Sequence, residues 1–137
     1  VFLKPIVLFT PEESNCDSSA IGLNTINFAP KSWTLEQKSI VELNRLAEYL
    51  ENKSFTILIS GHTDTDSTSA YNLNLSERRA NSVGDYIKSQ GYNGNIICKG
   101  YGETKPLKVE NSKESKRLNR RVEFCILKDN GTKIEND

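Results

Sequence analysis

The sequence predicts a single α/β domain with its elements in the order βαβαββ, and two patterns carry that prediction. Phe55, Ile57 and Ile59, and again Val122, Phe124 and Ile126, recur at every second residue, the period of a strand with one face in a core. Leu43, Leu46 and Leu50, and later Leu75, Val83 and Ile87, recur at helical spacing, the mark of a helix with one apolar stripe. At 137 residues the chain is long enough for one core and too short for two.

Residues 1–22 open with an apolar stretch, Val1 to Phe9, and pass into a polar loop; they read as an extension, a linker or an added strand. From Leu23 to Phe28 a short strand is expected, ended by Pro30. Thr34 reads as a helix N-cap, with Gln37 completing a capping box. Behind it Ile40, Leu43, Leu46, Ala47 and Leu50 form the stripe of a surface helix. The second strand runs through Phe55 to Ser60 and stops at Gly61. The polar run from His62 to Thr68 leads into a long helix, capped near Ser67 or Thr68 and stopped near Gln90 by Gly91. Ile96 to Cys98 form a third strand, ended by Gly100 and Gly102. A charged loop follows, with Pro106 and the polar run Glu110 to Lys116, and Arg121 to Leu127 complete a terminal strand pair. The expected domain is 23–128, with 129–137 a polar tail that frays.

Lys+Arg and Asp+Glu are both 18, so the chain lacks the basic excess that nucleic-acid binding leans on. No apolar run approaches the ~18–20 residues that span a bilayer. A chain that begins at Val1 rather than Met reads as a processed or excised piece, any leader, lipid anchor or partner domain lying outside it. Cys16, Cys98 and Cys125 have no CxxC spacing, which argues against a zinc site. Two core thiols in strands and one loop thiol are preferred to a Cys98–Cys125 disulfide. Nothing in these patterns calls for a cofactor.

The second helix carries its charge in an unexpected place. Arg79 falls between Leu75 and Val83 on the line that includes Tyr71, where an apolar residue is expected; Arg78 faces elsewhere as a solvated charge. A guanidinium beside a packed stripe needs a partner, because burying it unpaired is costly. Asn72, two turns earlier, looks into the same space, and Asp64 and Asp66 lie just before the helix begins. Open α/β sheets place ligands at the carboxyl ends of their strands. An acid, an arginine and a helix N-terminus together suit a zwitterion, the acid taking an ammonium and the arginine a carboxylate. Mutual neutralisation of Asp64 and Arg79 fits the residues equally well. A protein-interaction domain is one alternative reading, and two further rivals use the same loop. His62, Asp64 and Asp66 alternate and offer a metal a mixed ligand set. His62 and Cys98 make a catalytic pair only if Cys98 is exposed at a strand end.

The blocks Gly61-His62-Thr63-Asp64, Tyr71-Asn72, Leu75-Ser76, Arg79-Ala80 and Val83, then Gly100-Tyr101-Gly102-Glu103, Lys105-Pro106 and Asn119-Arg120-Arg121-Val122-Glu123, strongly resemble OmpA-like peptidoglycan-binding domains. The resemblance covers about Leu23 to Leu127, with every block in the family's order. It implies a βαβαββ fold with a mixed sheet against two main helices. It also implies a non-enzymatic anchor that binds the diaminopimelate residue of the peptidoglycan stem. Asp64 would pair with the ammonium and Arg79 with the carboxylate; Asn72 and Arg120 match further groove positions, and Thr63 and Asp66 flank the aspartate. Strand alternation also places Arg120 on the Val122 face, toward the site. A periplasmic location follows, with attachment to the outer membrane through a part outside this chain. Two departures stand out: Ser67 where the family usually has Gly, and Ile26-Asn27-Phe28-Ala29-Pro30 where an acidic Phe-Asp pattern usually ends the first strand.

Overall fold

The computed structural model describes residues 16–17 and 25–127. The expected elements at 1–15 and 18–24, and the tail 129–137, lie outside the described residues. The elements run β1 (Cys16–Asp17), β2 (Thr25–Asn27), α1 (Gln37–Leu50), β3 (Thr56–Gly61), α2 (Ser69–Ser89), β4 (Asn95–Gly100), α3 (Lys113–Asn119) and β5 (Arg121–Leu127).

The sheet is mixed. β4 lies parallel to β3, β5 lies antiparallel to β3 on its other side, and β1 and β2 share the far edge of β5, both antiparallel. The last two strands therefore do not pair with each other, contrary to the expected terminal pair; each flanks β3. The chain from β4 crosses the carboxyl end of β3, where Tyr101 N–H bonds Gly61 O and Thr63 N–H bonds Gly102 O, before it returns as β5.

Alternation explains the layering. Ile57, Ile59, Val122, Phe124 and Ile126 face one way and pack with Leu43, Leu46 and Leu50 of α1 and Ala80, Val83 and Ile87 of α2. Both main helices thus cover one sheet face. Leu58, Cys125 and Leu127 cluster on the opposite face. The buried residues of α2 run Asn72, Leu75, Ser76, Arg79, Ala80, Val83, Gly84 and Ile87. Stepping by four overshoots the 3.6-residue turn by about 40° each time, so Tyr71, at the start of the expected line, rotates out to 41% exposure.

Thr68 caps α2 by accepting Tyr71 N–H at 3.2 Å. At the other end Gly91, with φ +101°, closes a Schellman turn through its own N–H to Lys88 O and Tyr92 N–H to Ile87 O. Thr34 does not cap α1: the helix starts at Gln37 behind Glu36, with no side-chain cap. Thr34 N–H bonds Ser32 Oγ instead, a local turn that competes with helix entry. The segment expected to be a polar loop contains α3, opened by a capping box between Ser112 and Ser115. Cys125 is disulfide-bonded and Cys98 is a free thiol, which corrects the preference for unpaired core thiols. The two cannot join each other, because Cys98 faces Ala80 and Gly84 of α2 while Cys125 faces the opposite side of the sheet.

Candidate functional site

The carboxyl end of β3 brings together the 62–68 loop, the start of α2, the turn after β4 and the end of α3. Gly61 permits the close approach. A Cβ there would stand 2.0 Å from Ser76 O, so only glycine lets α2 lie this near the strand end. The loop that follows is consequently held against the first turns of the helix.

Asp64 sits at the centre, with its side chain only 9% exposed. Its Oδ1 accepts Asp66 N–H at 3.0 Å, and its Oδ2 accepts Nη1 of Arg120 at 3.2 Å. Arg120 also donates through Nε to Phe28 O at 2.9 Å. It does point at the site as expected, though from the C-cap of α3 rather than from within β5. Asn72 Nδ2 lies within 3.3 Å of Asp64 O, Ser67 O and Glu103 Oε1, tying the loop to the helix. Thr63 is buried and gives its hydroxyl to Asp64 O at 2.8 Å. Asp66 is exposed and pairs with Lys116 at 2.8 Å, while Glu110 accepts the backbone N–H and hydroxyl of Thr65.

Arg79 is fully buried, and its partners are backbone carbonyls. Nε donates to Ser32 O at 2.7 Å, Nη1 to His62 O and Nη2 to Ala29 O, both at 3.0 Å, with the guanidinium over the Phe28 ring. The direct neutralisation left open above is therefore not what forms: Asp64 takes Arg120, and Arg79 ties three chain segments together. Burial lowers the Arg79 pKa to about 10, with Asp64 opposing that shift and Arg120 adding to it. Arg120 thus pairs with Asp64 in a recess where both side chains are nearly buried, and Arg79 lies near enough for both charges to shift its pKa. Glu103 is the neighbour that sequence reasoning left out of the site; it accepts hydrogen bonds from Ser69 and Asn72 at the start of α2.

His62 belongs to neither rival centre. Its ring stacks on Tyr101 at 5.5 Å, on the sheet face away from the helices, and neither ring nitrogen has a hydrogen-bond partner. Cys98 is on the other side, giving its thiol to Ala80 O, and burial pushes its pKa up, away from a reactive thiolate. Among the described residues no three His, Cys, Asp or Glu side chains gather closely enough to hold a metal. Burial, then the charges of Arg121 and Lys105, lower the His62 pKa to about 3. Between its ordinary 6.5 and about 3, the unfolded chain holds a proton there that the folded chain does not. Stability must then fall as pH drops through that window. Denaturation curves over this range are expected to show the loss, and His62→Phe is expected to flatten it; an unchanged acid profile in the variant would refute this.

The model of the OmpA family matches residues 27–120 of the chain, the segment that contains Asp64, Asn72, Arg79 and Arg120. The peptidoglycan-associated lipoprotein of Buchnera aphidicola is 38% identical over 100 residues, covering 72% of this chain and 58% of that protein. The crystal structure of the peptidoglycan-associated lipoprotein from Burkholderia pseudomallei superposes with a TM-score of 0.73 at 27% identity, covering 76% of this chain and 90% of that one. The cell wall anchor of the T6SS from Pseudomonas aeruginosa superposes with a TM-score of 0.66 at 30% identity, covering 77% and 80%. The chain spans 26% to 66% of the length of the curated relatives it matches. No helix among the described residues is long and apolar enough to cross a membrane.

Proposed function

The chain belongs to the OmpA family, and from that premise we propose that it anchors an envelope protein to the cell wall by binding peptidoglycan without cleaving it. The observation that carries the proposal is the nearly buried Asp64–Arg120 pair, on a loop that the buried Arg79 holds through His62 O just before α2. A diaminopimelate side chain ends in an ammonium and a carboxylate on one carbon, and the recess matches both. The ammonium goes to Asp64, displacing Arg120 from it. The carboxylate goes to the two guanidinium groups. Arg79 has five N–H donors and commits three to carbonyls, which leaves two for a carboxylate drawn into the recess. Asn72 and Thr63 keep the Asp64 loop in shape through its carbonyl, and Asp66 with Lys116 forms the rim.

Relatives named for association with peptidoglycan and a cell wall anchor of the same fold support this reading. The Cys125 disulfide supports an oxidising compartment such as the periplasm. Attachment to the outer membrane would come from a part outside this chain. The absence of cleavage rests on His62 and Cys98 lying on opposite faces of the sheet, unable to act as base and nucleophile together. One stem binds weakly, and many domains on a repeating wall bind firmly.

The test is co-sedimentation with purified peptidoglycan sacculi. The chain should pellet with them and release no soluble fragments; a chain that stays in solution, or that solubilises wall, contradicts the proposal. Titration with a soluble stem peptide resolves the groove. Arg120→Ala is expected to weaken binding about tenfold or more, as loss of one partner of a shielded charge pair does. Arg78→Ala should leave it near wild type, because Arg78 is exposed and held by Asn74. Equal losses would mean that diffuse positive charge, not a defined groove, holds the ligand.

A further inference from the structure

Trp33 serves neither the core nor the clamp proposed for the stem at Asp64, Arg79 and Arg120. Its side chain is 42% exposed, although tryptophan ordinarily buries most of its surface. The residue is nonetheless held firmly. Its carbonyl accepts Ser82 Oγ at 2.8 Å, the preceding carbonyl of Ser32 accepts Arg79 Nε, and Arg78 lies over the ring at 4.7 Å. Arg78 is itself held through Nε to Asn74 Oδ1 at 2.9 Å. The result is a part-exposed indole on a backbone tied to α2, with one ring face covered by a guanidinium that is itself held in place.

We infer that Trp33, backed by Arg78, is a second subsite that takes a sugar ring of the glycan strand. This rests on the peptidoglycan reading above. A pyranose presents a face of C–H groups, weakly positive and apolar, which suits the negative face of an indole. The placement fits as well. The Arg79 guanidinium joins the carbonyls of Ser32 and His62, one residue from Trp33 and two from Asp64. The indole is therefore a few residue lengths from the clamp. A third stem residue stands about as far from the sugar that bears the stem, each extended residue spanning ~3.3–3.6 Å. One ligand can reach both subsites.

The test compares two soluble ligands, a disaccharide muropeptide carrying a diaminopimelate stem and the same stem peptide freed of its sugars. The wild-type chain should bind the muropeptide about three- to tenfold more tightly, the worth of one well-placed aromatic contact. Trp33→Ala should abolish that preference and leave affinity for the free stem unchanged, and Trp33→Phe should keep part of the preference. Equal wild-type affinity for the two ligands would overturn the sugar subsite alone. An equal loss for both ligands in Trp33→Ala would also overturn it, since Trp33 would then act by supporting Arg79. A wild-type chain that binds neither ligand would overturn the clamp, and this subsite with it.

Discussion

Arg79→Ala is expected to lower folding stability by about 3–5 kcal/mol, the combined cost of three lost charge-assisted hydrogen bonds and a cavity in place of a large buried side chain. The side chain is fully buried and holds the carbonyls of Ala29, Ser32 and His62. Its loss leaves the buried His62 carbonyl without its donor, frees the carbonyls of Ala29 and Ser32, and opens a void under Phe28. Arg79→Lys should recover only part of this, because one ammonium cannot reproduce a planar fork with donors aimed three ways. Domains of this size are stable by only ~5–15 kcal/mol, so the shift in a urea denaturation midpoint should be large. A midpoint within error of wild type would show that Arg79 is not the tie it is described to be. The same tie means that a binding defect in an Arg79 variant mixes two causes, a missing carboxylate contact and a loosened recess.

Much of this was legible because it follows from periodicity. The strands at Phe55–Ile59 and Val122–Ile126 and both main helices stand where alternation and helical spacing placed them. What the sequence hid has specific causes. α3 has no apolar stripe; its buried residues are Ser115 and Asn119, which satisfy loop backbone rather than pack in a core. The competition between Thr34 and its neighbour Ser32 for a turn was invisible, because either hydroxyl fits a cap. Arg79 was recognisable as a charge on an apolar line, but its partners were not, since a backbone carbonyl has no side-chain signature. The Asp64–Arg120 pair depends on how the chain, 56 residues further on, folds back across the end of β3, which local spacing does not encode. The resemblance to a family supplied Arg120; the geometry supplied what it touches.

The question of what the recess holds therefore falls on Asp64. Asp64→Asn preserves shape and an oxygen that can accept Asp66 N–H. Arg120 loses its ion pair but keeps Phe28 O and some solvent, so the fold should survive. What disappears is the negative charge that would meet a ligand ammonium. Removing one side of such a shielded pair costs ~2–5 kcal/mol, roughly a thirty- to several-thousand-fold loss of affinity. The direct measurement is calorimetric titration of a diaminopimelate-containing muropeptide into the wild-type chain and Asp64→Asn, with circular dichroism confirming that both are folded. Binding to the wild type and that loss in the variant are the expected result; a folded Asp64→Asn chain that binds the muropeptide as tightly as wild type would contradict a charge-specific recess.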